Sequence, residues 1–398
     1  MKKEDITGLI VYLFILVFAI VFGFTVLNQH AGTSYVSIQG GMFAYMGFML
    51  GAIVLGVILN AILFEVAHIL GAKVGGYDIE SVNILGFCFY KEDKKFKFKF
   101  SSFDGLSGET KIYPKDNLVD KKGNPKQASP YGYLWFGSLF VIIEVIIAMI
   151  LFSLLNVEAY KNTIEGDFAY FILTVGMIGF MILIYNILPF KLDSTTDGYR
   201  LTLVSNPKNK EAFNELLKVN RAMSLGLDVE IKTFTEITNF TAELNLNKVY
   251  KLLEERNYNE AEPLIDMIIA AKEQISYKVY IAARAQKIYI HLMNNSVEEA
   301  QKYYDEQVDT NERREIADDV SMPSIRAYLL MSGILDKSRS ECLIALNNVM
   351  KAYKHTNKNR REVEVSLFNE TLKKVIEAHP KWELDGYLLT SKESKEKK

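Results

Sequence analysis

Cysteine, histidine and net charge are all scarce in this sequence. Only two cysteines, Cys88 and Cys342, occur in 398 residues, so a disulfide framework is unexpected and a reducing compartment fits. The five histidines leave little material for metal sites built from several imidazoles. A net charge of -2 argues against a nucleic-acid partner. Long apolar runs are absent after about residue 200, which divides the chain into two halves of different character.

The first half carries four apolar runs of the length that a bilayer requires. A helix needs about 20 apolar residues to cross the hydrocarbon core, and the runs at 8–27, 41–74, 131–155 and 168–189 qualify. The first run is too long for the apolar part of a signal peptide, so we interpret it as a retained anchor. The sequence therefore predicts a mostly α fold. A membrane domain of about four spans occupies 1–200, a soluble helical domain occupies 201–390, and 391–398 is a disordered charged tail.

The distribution of lysine predicts the orientation of these spans. The stretch 28–40 has no Lys or Arg, and the connector 157–166 has only Lys161. Many lysines lie between the second and third spans: Lys91, Lys94, Lys95, Lys97, Lys99, Lys121 and Lys122. Because positive loops stay in the cytosol, we expect both termini to be cytosolic. The Lys-, Asn- and Ile-rich composition suggests a bacterium, so we expect the spans to lie in the bacterial cytoplasmic membrane.

The loop 75–130 contains a segment of alternating Lys and Phe at 95–100. This period of two predicts a β-strand with one apolar face, within a small sheet or pair of hairpins. Two interpretations stay open. The strand either exposes its lysines to cytosolic water, or lies at the membrane surface with Phe in the acyl boundary and Lys against anionic headgroups. Its edge could also pair with an extended peptide.

The second apolar run contains two polar residues that a membrane span does not accept without cause, Glu65 and His68. On a helix, His68 lies one turn beyond Phe64, with Glu65 beside it. A histidine at 64 would complete His-Glu-x-x-His, in which two imidazoles hold zinc and the Glu acts as general base. Residue 64 is Phe, which cannot coordinate a metal.

A second group of polar residues follows the fourth run. Asn186 and Pro189 end that span, and Asp197 precedes Gly198 after a short connection. Proline disturbs the helix there, and a carboxylate on the following turn is a candidate third ligand for a metal on the second span. For Glu144, in the third span, we expect a buried hydrogen-bonded carboxyl.

Together these motifs resemble the site-2 protease family, the intramembrane zinc metallopeptidases of regulated intramembrane proteolysis, over roughly 40–200. The resemblance implies that Glu65 matches the general base, His68 the second histidine ligand and Asp197 the aspartate ligand. It also implies that Asn186 and Pro189 position substrate and ligand. Two departures stand out: Phe64 replaces the first ligand, and Asp197 lies further from Pro189 than is usual for the family. Asp193 lies nearer that usual spacing and is the reserve ligand.

The missing ligand separates the functional hypotheses. The first is a pseudoprotease that binds a membrane-spanning partner without cutting it. The second is an active metalloprotease whose zinc site is rearranged, with Glu65, Asp193, Glu144 or Cys88 as a substitute ligand. The third is a structural or transport-related membrane subunit, which solute flux in liposomes would reveal. Zinc is the expected cofactor only if the protein is active.

The second half has apolar stripes at helical spacing, among them 246–253 and 261–268. Further helices are predicted at 276–293, from 297 onward, and at 323–335, 340–353 and 360–378. The pair Glu260-Ala261 recurs as Glu299-Ala300 after an Asn-rich turn. This pattern weakly resembles tetratricopeptide repeats, which implies a concave surface that recruits a cytosolic protein.

Overall fold

A computed structural model describes residues 3–30, 34–92, 95–101, 108–119, 122–190 and 195–389 of the chain. The chain divides into two compact units, Met1–Lys210 and Glu211–Lys398. The predicted tail at 391–398 lies outside the described residues.

Four long apolar helices dominate the first unit: α1 (Lys3–His30), α2 (Tyr35–Gly75), α3 (Pro130–Leu155) and α4 (Ile164–Ile187). Each contains a segment long and apolar enough to cross a bilayer, namely Ile6–Val26, Gln39–Gly75, Pro130–Leu155 and Ile164–Ile187. The four predicted spans are thus confirmed, and the protein is a multi-pass membrane protein. Within α2 the backbone breaks at Gly41, whose φ of 70° is a conformation that favours glycine.

Small residues let α2, α3 and α4 approach each other closely, as is usual where lipid leaves packing as the main driving force. A Cβ on Gly71 of α2 would lie 2.1 Å from the carbonyl oxygen of Gly132 in α3. A Cβ on Gly56 of α2 would lie 3.3 Å from the Cα of Val175 in α4. At the other end of α2, the carboxylate of Asp167 accepts a hydrogen bond from the Val36 N–H at 2.6 Å.

A four-stranded antiparallel sheet follows α2, as the alternating pattern predicted. Its strands are β1 (Tyr77–Ile84), β2 (Phe87–Glu92), β3 (Lys95–Phe100) and β4 (Gly108–Pro114), in the order β3-β2-β1-β4. Leu85 and Gly86 connect β1 and β2 with positive φ at both positions, the conformation that matches the twist of a tight hairpin. One face of β2 and β3 exposes four phenylalanines, with Phe87 opposite Phe100 and Phe89 opposite Phe98. The predicted strand over 95–100 is therefore confirmed.

The remaining α-helices begin with α5 (Asp197–Val204) in the first unit and α6 (Pro207–Leu225), most of which lies in the second unit. Eight further α-helices of the second unit follow. Those are α7 (Asn239–Glu254), α8 (Tyr258–Ala270), α9 (Tyr277–Met293), α10 (Val297–Gln307), α11 (Thr310–Asp318), α12 (Met322–Leu330), α13 (Arg339–His355) and α14 (Arg361–Ala378). A short π-helical segment, Met331–Leu335, extends α12. All of the predicted helices are present, whereas α5, α6 and α11 were not predicted individually.

Three turns in the second unit share one backbone design. Each places one residue in the left-handed region between two helices: Arg256 (φ 57°), Asn295 (φ 64°) and Lys337 (φ 50°). The N–H of the next residue then bonds back to the preceding helix, as in Asn257 N–H to Leu252 O at 2.8 Å. This is the usual C-terminal cap of a helix that ends in a left-handed residue.

Candidate functional site: a histidine–aspartate pair beside a sheet edge

The structure brings together two of the predicted site residues that lie far apart in the chain. His68, on α2, places its Nε2 atom 2.9 Å from Oδ2 of Asp197, the first residue of α5. The two residues are 4 % and 6 % exposed, respectively, so the pair is closed to solvent. Burial raises the pKa of the Asp197 carboxyl to about 7, against the lowering effect of the Arg200 charge.

The chain after α4 is shaped so that it delivers Asp197 to this point. The Thr196 hydroxyl donates to the Leu188 carbonyl at 3.2 Å, and the same oxygen caps α5 by accepting from the Tyr199 N–H. Gly198 lies directly on the end of α4, because a Cβ there would be 2.2 Å from the Ile187 carbonyl oxygen. Only glycine allows this approach, which gives the Asp-Gly pair a structural reason.

Glu65 is fixed by the sheet. Its Oε2 atom accepts a hydrogen bond of 2.6 Å from the Thr110 hydroxyl on β4, and it is 2 % exposed. The Tyr133 hydroxyl on α3 in turn donates to the Thr110 carbonyl at 2.9 Å. Gly108 lets the strand approach, since a Cβ there would lie 3.1 Å from Glu65 Oε1. Strand β4 therefore lies directly against the Glu65–His68 segment.

Phe64 occupies the place beside His68 where the resemblance expects a second imidazole. The two rings meet edge to face with 4.6 Å between their centroids. Both lie over Gly137 of α3, where a Cβ would be 2.9 Å from the Phe64 ring and 3.0 Å from His68 Cε1. Phe64 is also part of a buried apolar cluster with Val141, Ile182 and Leu183.

The other predicted site residues lie at the end of α4, elsewhere on α3 or outside the described residues. The Asn186 side chain donates to Ile182 O of its own helix at 3.0 Å, and α4 ends at Ile187, before Pro189. Asp193 is not among the described residues. Glu144 lies elsewhere on α3, beside Asn60 and Gly179.

Among the described residues, the metal-binding side chains fall short of the catalytic zinc arrangement that the resemblance implies. That arrangement uses three protein ligands and an open position. His68 Nε2 and Asp197 Oδ2 converge as two ligands of one ion would, but across the described ranges no group of three His, Cys, Asp or Glu side chains has metal-binding geometry. Glu65, Glu144 and Cys88 therefore do not complete the set. What the site offers is a buried imidazole–carboxyl pair next to a carboxyl held by a strand.

Sequence reasoning missed Thr110, Tyr133 and Gly137, all of which contact the predicted residues. A lone Thr, Tyr or Gly has no spacing that marks it, because its role depends on what packs opposite.

Comparison of the chain with protein-family models, curated proteins and solved structures finds no match. The resemblance to site-2 proteases thus rests on the motifs alone.

Proposed function

We propose that this protein is a pseudoprotease of the site-2 protease type, which binds a membrane-spanning or membrane-associated partner without hydrolysing it. One observation carries the proposal: Phe64 fills the first ligand position and packs edge-on against His68 at 4.6 Å. A benzyl side chain in an apolar cluster supplies no lone pair, so among the described residues the pair of His68 and Asp197 has no third ligand for a catalytic zinc.

The sheet supports the binding part of the proposal. Strand β4 pairs with β1 on one side, and no other described strand pairs with its second side. Thr110 attaches this strand to Glu65, so a peptide added along β4 would pass next to the degenerate site. An extended segment of a partner would gain main-chain hydrogen bonds there, the mode known as β-augmentation.

The proposal includes an orientation and a second partner. The lysine-rich sheet region and both termini lie in the cytosol of a bacterial cell, as the distribution of Lys indicates. The helical unit then recruits a cytosolic protein, and its three similar turns support a repeat array of the kind that binds proteins.

Zinc analysis of the detergent-purified protein tests the loss of the metal site. We expect zinc far below one ion per chain in the wild type, and no further decrease in His68→Ala. Phe64→His is expected to raise the zinc content, and the double variant with His68→Ala to lose it again. His291→Ala, in the second unit, is the matched control. Near-stoichiometric zinc in the wild type that disappears in His68→Ala would contradict the proposal.

Three further experiments separate the alternatives. A photo-crosslinking residue at Lys111, exposed on β4, is expected to capture a single-span partner, whereas one at Lys99 on β3 is not. Cleavage of a membrane substrate that vanishes in Glu65→Gln would establish an active protease instead. Solute flux in liposomes without crosslinking at Lys111 would favour the transport-related subunit.

A further inference from the structure

A second polar cluster lies in the membrane unit, apart from the pair of His68 and Asp197. It joins Asn60 near the middle of α2, Glu144 near the middle of α3 and Gly179 on α4. A Cβ on Gly179 would lie 2.6 Å from Asn60 Oδ1 and 2.6 Å from Glu144 Oε2. The two oxygens therefore share the small space that the missing side chain of Gly179 leaves.

Both oxygens in this space lack a hydrogen-bond partner. Asn60 is completely buried, and its amide nitrogen donates to Gly56 O at 3.0 Å and to Val175 O at 3.2 Å. These bonds orient the amide and leave Oδ1 as an acceptor without a donor. Glu144 Oε2 is likewise buried and unpartnered. Buried polar atoms are almost always hydrogen-bonded, so two such acceptors side by side indicate a missing donor.

A charged Glu144 has nothing to balance it. Among the residues that the structure describes, no cationic side chain forms an ion pair with Glu144; Asn60 faces it from α2 and Gly179 from α4. Its neighbours Ile143 and Ile147 are exposed apolar residues of the same span. An isolated carboxylate at this depth is costly.

The geometry points to a proton as the missing group. We propose that Glu144 is a proton-binding site in the middle of the membrane unit, protonated at neutral pH and donating to Asn60 Oδ1. A divalent metal ion fits poorly, because Ca²⁺ and Mg²⁺ take about six or more ligands, and across the described ranges no group of three His, Cys, Asp or Glu side chains could hold a metal ion. A proton satisfies both orphan oxygens at once, removes the charge and links α3 to α2.

Infrared spectroscopy of the full-length protein in lipid bilayers at neutral pH tests the proposal. The difference between wild type and Glu144→Gln is expected to contain the carbonyl band of a carboxylic acid. Glu158→Gln, at an exposed carboxylate outside the spans, is the control and should remove only a carboxylate band. If the wild type minus Glu144→Gln difference shows a carboxylate, the proposal is wrong.

Further variants test the role of Asn60. Asn60→Leu should shift the acid band to higher frequency, because the hydrogen bond is lost, and an unshifted band would exclude Asn60 as the acceptor. Gly179→Ala should shift it as well, whereas Gly51→Ala should not, since a Cβ at Gly51 meets nothing within 4 Å.

Labelling of the wild type tests the proposal without any substitution that affects folding. A hydrophobic carbodiimide reacts with protonated carboxyl groups within membranes. We expect it to modify Glu144 and leave Glu158 unmodified, as mass spectrometry would show. An unmodified Glu144 at neutral pH would contradict the proposal.

Discussion

Replacing Gly71 by alanine should disrupt the crossing of α2 and α3 that holds the candidate site. The added Cβ would lie 2.1 Å from the Gly132 carbonyl oxygen, 2.6 Å from the Gly132 carbonyl carbon and 3.0 Å from Phe136 Cβ. Two of these atoms belong to the backbone, so no side-chain rotation relieves the contact. Non-bonded carbons prefer about 3.5–4.0 Å, which means that the helices must move apart.

The expected change in the free energy of unfolding of Gly71→Ala is the sum of two opposing effects. Overpacking in a closely packed region costs typically about 1–3 kcal/mol, and a backbone clash belongs at the upper end of that range. Alanine in place of glycine within a helix gains about 1 kcal/mol. Gly71→Ala should therefore lose about 2 kcal/mol of unfolding free energy. The matched control is Gly51→Ala on the same helix, where a Cβ meets nothing within 4 Å, and it should gain up to about 1 kcal/mol.

Reversible unfolding in mixed micelles of increasing dodecyl sulfate content, followed by circular dichroism, measures both variants. A difference of about 3 kcal/mol between Gly71→Ala and Gly51→Ala is expected. His68 lies one turn before Gly71, and the centroid of its ring is 5.0 Å from that of the Tyr133 ring on α3. The environment of the His68 imidazole should therefore also change in Gly71→Ala, but not in Gly51→Ala. Equal unfolding free energies for the two variants would refute the close backbone crossing.

Three further predictions concern other parts of the chain. Arg326→Met should cost about 3 kcal/mol, the lower end of the range for breaking a buried pair, because buried Glu364 loses Arg326 and keeps, among the described cations, only Arg360, 4.0 Å away. Thermal unfolding of the full chain should show that the double change with Glu364→Leu recovers much of this loss. Burial raises the pKa of Tyr258 to about 12, so the folded state holds this proton longer than the unfolded state. Stability should then fall as the pH rises above about 10, as phenolate absorbance and circular dichroism would show. Loss of structure well below about pH 10 would contradict the raised pKa of Tyr258. Gly198→Ala should displace Asp197 and thereby change the nitrogen chemical shifts of the His68 ring. Unchanged shifts would show that Asp197 has not moved.

Local patterns in the sequence predicted most of the fold. Hydropathy marks a span because about 20 consecutive apolar residues are needed whatever the neighbours are, and alternation marks the strand at 95–100 because its side chains alternate between faces. The short helix α11 escaped prediction, since Thr310–Asp318 carries few apolar residues from which a stripe could be recognised.

The candidate site could be predicted only where a motif pointed to it. The meeting of His68 and Asp197 was expected from the order of the two motifs, and the structure brings them to 2.9 Å. The contacts of Thr110 and Gly179 depend on which helix or strand packs opposite, and no local spacing encodes that information. Asn60 did carry a signal, because a carboxamide within a long apolar run is unusual.

In the proposed pseudoprotease, packing around Phe64 takes the place of a metal ligand in the membrane unit. The phenyl ring joins Val141, Ile182 and Leu183 in a buried cluster between α2, α3 and α4, and close packing of this kind is what holds helices together within lipid. The approach of Asp197 is fixed by the close packing of Gly198 on α4 and by the Thr196 hydrogen bonds. Packing at residue 64 and the turn before α5 therefore supply what a metal ion would otherwise supply, an attachment between α2 and α5. By the same reasoning, Phe64→His places an imidazole in an apolar cluster and should lower stability until zinc binds. The stability of that variant should consequently rise with zinc concentration, whereas that of the wild type should not.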